Sequence, residues 1–208
     1  MRYRKKHHWL TIGKIFCMAV VLCLSALIAL DKRLTVRTYR ERTSLLQEPV
    51  CLAVITDLHA GIYGEAQQNL LRAVRRQEPD AVLLVGDIAD DEVPDDGVWM
   101  MLSELAGDYP CFYVSGNHEF WSGRAGEIKK GIEAYGVEVL EGEGCMLEVR
   151  GQKLQIFGVD DPDCFGGGAR LTDGSSEAWQ AQLAACESYQ KANLYRFLEC
   201  GTIKQNEV

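Results

Sequence analysis

Five residues have the types and the spacing to hold metal ions and act on a bound phosphate. They are Asp57 and His59 in Thr56-Asp57-Leu58-His59, Asp87 in Gly86-Asp87, and Asn117 and His118 in Gly116-Asn117-His118-Glu119. A two-metal hydrolytic centre needs hard oxygen donors, imidazoles and one carboxylate that bridges ions about 3.5–4 Å apart. Asp57 and His59, two positions apart, can both reach one ion as the chain leaves a strand. Asp87 is placed to bridge, and Asn117 offers an amide oxygen to the second ion. His118 can turn toward a substrate phosphate instead of a metal. Glycine at 86 and 116 lets the backbone turn sharply beside these groups.

Alone, an Asp-x-His is more often a capped turn, and a Gly-Asp says almost nothing. The weight lies in order and interval. Asp57 to Asp87 and Asp87 to Asn117 are both thirty positions, about one strand–helix–strand unit. Each motif follows an apolar run, at residues 50–55, Ala81–Val85 and Cys111–Val114, that reads as a buried strand. Such strands lie parallel, with their polar ends along one edge of the sheet.

The connections support an α/β fold. Residues 65–77 place Ala66, Leu70, Leu71 and Val74 at helical spacing, and residues 94–106 do the same with Val98, Met101, Leu102 and Leu105. Met100 points away from that stripe. Arg72, Arg75 and Arg76 read as a solvated helix face rather than a phosphate clamp. A third helix is expected over residues 122–135 and a fourth over 176–193. Short strands are expected at 137–140, 145–150 and 153–159, and another begins at 194–198. Between them, Asp160-Asp161-Pro162 and Gly166-Gly167-Gly168 form a long loop.

The N-terminus has a different character. Residues 1–8 are basic, and 9–30 form an apolar run whose one charge is Lys14. About 20 apolar residues span a bilayer, so this run is expected to be a transmembrane anchor rather than a cleaved signal peptide. Basic residues on both sides nearly balance, so orientation is open, and an extracytoplasmic domain is the working expectation. A polar stem at 31–49, a domain at 50–198 and a polar tail at 199–208 complete the organisation. Net charge is +8 over residues 1–42 and −16 over the rest of the 208-residue chain. An acidic domain argues against nucleic-acid binding, which needs a basic surface. None of the eight cysteines forms a Cys-x-x-Cys pair, which argues against a zinc ribbon. Most read as small buried apolar residues, with a disulfide at Cys164, Cys186 or Cys200 left open.

Taken together, the three motifs resemble the calcineurin-like metallophosphoesterases, whose signature runs Asp-x-His, Gly-Asp, Gly-Asn-His-Asp/Glu. The resemblance covers residues 50 to about 197, and the apolar N-terminus with residues 158–162 is most similar to the membrane-associated bacterial branch. It implies a layered α/β sandwich with two divalent ions, manganese, iron or zinc. Asp57 and His59 would bind the first ion, Asp87 would bridge, and Asn117 would bind the second. His118 would stabilise the phosphate or protonate the leaving group during in-line attack by a metal-bridging hydroxide. The implied substrate is a phosphomonoester or phosphodiester, with a lipid-linked one favoured by the anchor. Asp160 and Asp161 either border this pocket or form a Pro-terminated turn.

The same resemblance implies three further histidines, one after a later strand and two in a Gly-His-x-His motif. This chain has four histidines: His7, His8, His59 and His118. We therefore expect the N-terminal part of a longer enzyme, incomplete beyond about Glu199, with weak metal binding and little hydrolysis by this polypeptide. The alternative is a non-catalytic, membrane-tethered binding or regulatory module that keeps the fold.

Overall fold

The three apolar runs form adjacent parallel strands, and both of their faces are buried. In the computed structural model, residues 14, 16–22, 34–44, 46–165, 177–193 and 202–204 are described. Contacts divide the chain into two units, residues 1–33 with 206–208 and residues 34–205. In the first unit, residue 14 and residues 16–22 are helical and exposed. The rest of the expected anchor at 9–30 lies outside the described residues. Among the described residues, no helix is long and apolar enough to cross a membrane.

The second unit runs β1 (Thr35–Arg37), β2 (Leu52–Thr56), α1 (Gln68–Arg75), β3 (Ala81–Val85), α2 (Asp96–Asp108), β4 (Cys111–Val114), α3 (Asn117–Trp121), α4 (Ala125–Glu133), β5 (Glu138–Val139), β6 (Gly144–Val149), β7 (Gln152–Phe157), α5 (Glu177–Asn193) and β8 (Thr202–Lys204). One sheet has the order β1-β8-β2-β3-β4-β5, and β6 and β7 form a separate antiparallel hairpin. Strands β2 to β5 are parallel. β8 adds in parallel to β2, with β1 antiparallel beyond it.

Alternation along the strands assigns the two faces. Ala53, Ile55, Val82, Leu84, Cys111 and Tyr113 pack with helix residues such as Leu70, Val74, Met101, Leu105 and Ile132. The interleaved Leu52, Ala81 and Phe112 pack instead with Leu147 of β6 and Leu154 and Ile156 of β7. The molecule is therefore layered, with helices on one face of the sheet and a hairpin on the other. Met101 is fully buried and Met100 is 38% exposed, as the helical stripe requires.

Three local departures from the sequence reading have physical causes. The helix expected at 65–77 begins as a 3-10 turn at Glu65–Gln67, with Ala66 and Gln67 at positive φ, and becomes α-helical at Gln68. The buried Gln67 amide causes this: it donates to the carbonyls of Gly61 and Gly97 and accepts from the Tyr63 N–H. The helix expected at 122–135 is the shorter α4, and an unexpected short helix, α3, precedes it, with Gly123 at φ 69 between the two. The stem and the tail also contribute strands, β1 and β8, which cover the edge of β2. The expected strand at 194–198 and the glycine run at 166–168 lie outside the described residues. The described cysteines 17, 51, 111, 145, 164 and 186 are free thiols, and Cys200 lies outside them.

Candidate metal centre

Parallel register brings the strand ends level. Ile55 pairs with Leu84, and Leu84 with Tyr113, so β2, β3 and β4 release their chains at the same edge. The loops that follow are laced by backbone hydrogen bonds. Asp57 N–H donates to Gly86 O (3.3 Å), His59 N–H to Asp87 O (2.9 Å), Ala60 N–H to Ile88 O (2.9 Å) and Gly86 N–H to Val114 O (3.1 Å). This lacing holds Asp57, His59, Ala60 and Asp87 in left-handed backbone, at φ 54°, 47°, 51° and 51°. Non-glycine residues held there cost about 1–3 kcal/mol each and persist only where surrounding bonds over-determine them. At Gly116 no side chain fits, because a Cβ would lie 2.2 Å from Asp87 Oδ1.

On these loops, Asp57, His59 and Asp87 each bring one ligand atom within 4.8 Å of the others. Asn117 opens α3 and is half-buried, one residue before His118. The His118 N–H donates to Asp87 Oδ1 at 3.0 Å. The His118 ring lies edge-on to that of His59, with centroids 4.4 Å apart. His118 therefore stands against the ligand cluster without belonging to the Asp57–His59–Asp87 group.

Three carboxylates not assigned from sequence shape this arrangement. Asp90 Oδ2 lies 3.0 Å from His59 Nδ1 and 3.6 Å from His118 Nδ1, and Asp91 Oδ1 lies 2.8 Å from His118 Nδ1. Burial raises the Asp90 pKa, but bonds from the Glu92 and Val93 N–H groups and from His59 outweigh it and hold the carboxyl below its ordinary value. An ionised carboxylate can only accept, so His59 carries its proton on Nδ1 and presents Nε2 as a ligand nitrogen. Asp90 sits three positions after Asp87, a spacing that was readable but that says nothing by itself about a paired imidazole. His59, Asp90 and His118 also lie close enough together to form a second possible ligand group.

Glu119 is fully buried behind the site. Its carboxylate accepts from the N–H groups of Ile88 (2.7 Å), Gly116 (2.9 Å), Ala89 (3.0 Å) and Asp87 (3.1 Å). Burial pushes its pKa up, and these N–H groups pull against that. The last residue of Gly-Asn-His-Glu is thus the clamp that joins the second and third loops.

Asp160 is buried and ion-paired to Lys129 at 2.8 Å, and it accepts from the Ser115 N–H. It is structural. Asp161 N–H donates to Ser115 O, and Asp161 has its pKa raised by burial, with Asp87 among the charges that add to the effect. Of the two, Asp161 feels the metal-ligand cluster. Arg75 pairs with Glu104 and Asp108, while Arg72 in α1 and Arg76 just after it are exposed.

Two carboxylates and an imidazole converging from strand ends form a donor set suited to manganese, iron or zinc. The tight Asp87–Gly116 approach and the fixed His59 tautomer fit these side chains to such an ion. Residues 52–180 match the model of the calcineurin-like phosphoesterase family. A Caenorhabditis elegans protein named as a metallophosphoesterase is 30% identical over 115 residues, which are 54% of this chain and 24% of that protein. A metallophosphoesterase of Campylobacter jejuni is 31% identical over 81 residues, 38% of this chain and 22% of its own length. The match to each relative thus takes in about a quarter of that protein. Among solved structures, the phosphopantetheinyl hydrolase PptH of Mycobacterium tuberculosis aligns with 70% of this chain and 52% of its own at 20% identity and a TM-score of 0.35.

Proposed function

Because this chain belongs to the calcineurin-like phosphoesterase family, we propose that its sheet-edge site hydrolyses phosphate esters with the help of divalent metal ions. The convergence of Asp57, His59 and Asp87, with His118 packed against His59, is the observation that carries this reading. Asp57 and His59 would hold a first ion, Asp87 would serve both positions, and Asn117 would offer its amide oxygen to a second. Bound divalent ions supply Lewis-acid activation of water and charge neutralisation at phosphoryl oxygens.

The remaining work falls to the chain's own residues. Asp91 holds the Nδ1 proton of His118, which leaves Nε2 to face the phosphoryl group and to donate a proton to the departing oxygen. Asp90 fixes the ring of His59. Glu119 keeps the Asp87 loop and the start of α3 in register, so that metal ligands and proton donor stay aligned.

The test joins metal binding to turnover. Manganese binding and slow, manganese-dependent hydrolysis of p-nitrophenyl phosphate and its bis ester are expected, with both lost in Asp87→Asn. Turnover that survives Asp87→Asn would sink the assignment. A second reading is favoured by one observation: no histidine follows His118 in these 208 residues. A chain that binds no manganese at all would support a non-catalytic module that keeps the fold.

We extend the reading to the membrane through the apolar run at 9–30, which would tether the domain and bring lipid-linked phosphate esters within reach. If the full chain partitions into the soluble fraction after carbonate washing, the tether is wrong.

A further inference from the structure

Trp121 is the last residue of α3, four residues after Asn117 and three after His118. Residues three apart on a helix share a face, and the indole lies against His118 with ring centroids 4.9 Å apart and planes inclined by 50°. Ser122 caps the helix after it, and Gly123 at φ 69 follows. The side chain is 52% exposed and belongs to neither buried core cluster. A large aromatic ring left half in water gains by meeting another apolar surface.

Its neighbours fix what that surface could be. The rings and charged groups against the His118 imidazole, among the described residues, are His59, Asp90, Asp91 and Trp121. The first three are polar or charged and face the metal cluster or hold Nδ1. Trp121 is the one apolar side chain among these contacts. An ester oxygen receiving a proton from His118 Nε2 is one bond from the first carbon of the leaving group. That carbon and its substituents then lie within reach of whatever flanks the imidazole on its open side.

We propose that Trp121 forms the leaving-group subsite and selects phosphate esters whose departing alcohol presents a flat, apolar face next to the ester oxygen. The proposal rests on the phosphoesterase reading above and deepens it from a reaction to a substrate class. Trp121 is a specificity-determining residue. It takes no part in proton transfer or metal binding.

Phenylphosphonate and methylphosphonate separate the two claims, since both mimic the phosphoryl group and only one carries a flat apolar substituent. Binding of each to the full chain with manganese present is measured by titration calorimetry, without recourse to turnover. Wild-type protein is expected to prefer phenylphosphonate by about tenfold, the scale of one aromatic stacking contact. Trp121→Ala removes that preference and leaves methylphosphonate binding unchanged, and Trp121→Phe restores most of it. Equal affinity of wild-type protein for the two ligands, or equal weakening of both in Trp121→Ala with an unchanged circular dichroism spectrum, overturns the subsite alone. Failure of both phosphonates to bind wild-type protein that does bind manganese overturns the phosphoester reading, and the subsite falls with it.

Discussion

The His59 imidazole shows how much of this site depends on a residue that is not itself a ligand in the Asp57–His59–Asp87 group. Asp90 is held below its ordinary pKa by two backbone N–H groups and His59, so its charge is available to fix the ring. Carboxylates that orient metal-bound histidines are worth about 10–100-fold in metal affinity. Asp90→Asn is therefore expected to weaken manganese binding by about that factor while the circular dichroism spectrum stays native. Unchanged affinity on calorimetric titration would show that His59 needs no such partner. The five residues chosen from sequence could be chosen because metal ligands follow strands at a regular interval. Asp90, Asp91 and Glu119 escape that logic, because their roles come from what the loops bring together. Glu119 stood in plain view inside a motif, yet only burial shows that it clamps four backbone N–H groups.

Elements position these groups through close approaches that a single added methyl would break. Gly97, in the first turn of α2, packs against the loop that carries His59, and a Cβ there would fall 2.1 Å from Ala60 O. Overpacking of this kind costs about 1–3 kcal/mol. Gly97→Ala is thus expected to lower the urea midpoint and to weaken metal binding together, because relief of the clash must move residue 60 or the helix. A lower midpoint with full metal affinity would mean that α2 yields alone. A second device ties α4 to the loop after β7, where Lys129 bonds to Asp160 and Glu141. Burial lowers the Lys129 pKa, but those two carboxylates outweigh it and raise the value above 10.5. A raised lysine contributes stability that is complete below its unfolded pKa and is lost as pH climbs through the folded one. The stability gap between wild type and Lys129→Met, read from urea unfolding, is expected to be constant up to about pH 10 and to shrink above it. A gap that does not change with pH would assign the whole effect to packing. Helix and strand existence was legible from periodicity, whereas the short helix α3 ahead of Gly123 and the 3-10 turn at Gln67 were not. Both depend on a glycine conformation or a buried amide that only tertiary contacts define.

At the scale of the molecule, thirty-residue spacing and continuous apolar runs made the parallel sheet readable from the sequence. The strands of the β6–β7 hairpin were readable at 145–150 and 153–159, but nothing in them names the face of the sheet that they cover. The metal site inherits a similar asymmetry. Asp57, His59 and Asp87 make one compact donor group, while these 208 residues contain no histidine after His118 to complete a second. Of the residues read as ligands from the sequence, Asp87 and Asn117 are the ones proposed for the second position. One ion is therefore expected to bind well and a further ion weakly. Ligand that binds the folded state alone stabilises it by about 2.7 kcal/mol at a hundred times its dissociation constant. A manganese titration followed by thermal unfolding is accordingly expected to raise the midpoint along a one-site curve, with one ion per chain by metal analysis. His59→Ala is expected to abolish the rise, since it removes the imidazole from the compact group. Two ions of similar affinity in the wild-type chain would show that other side chains supply the second position, and that the asymmetry argued from ligand identity does not govern binding.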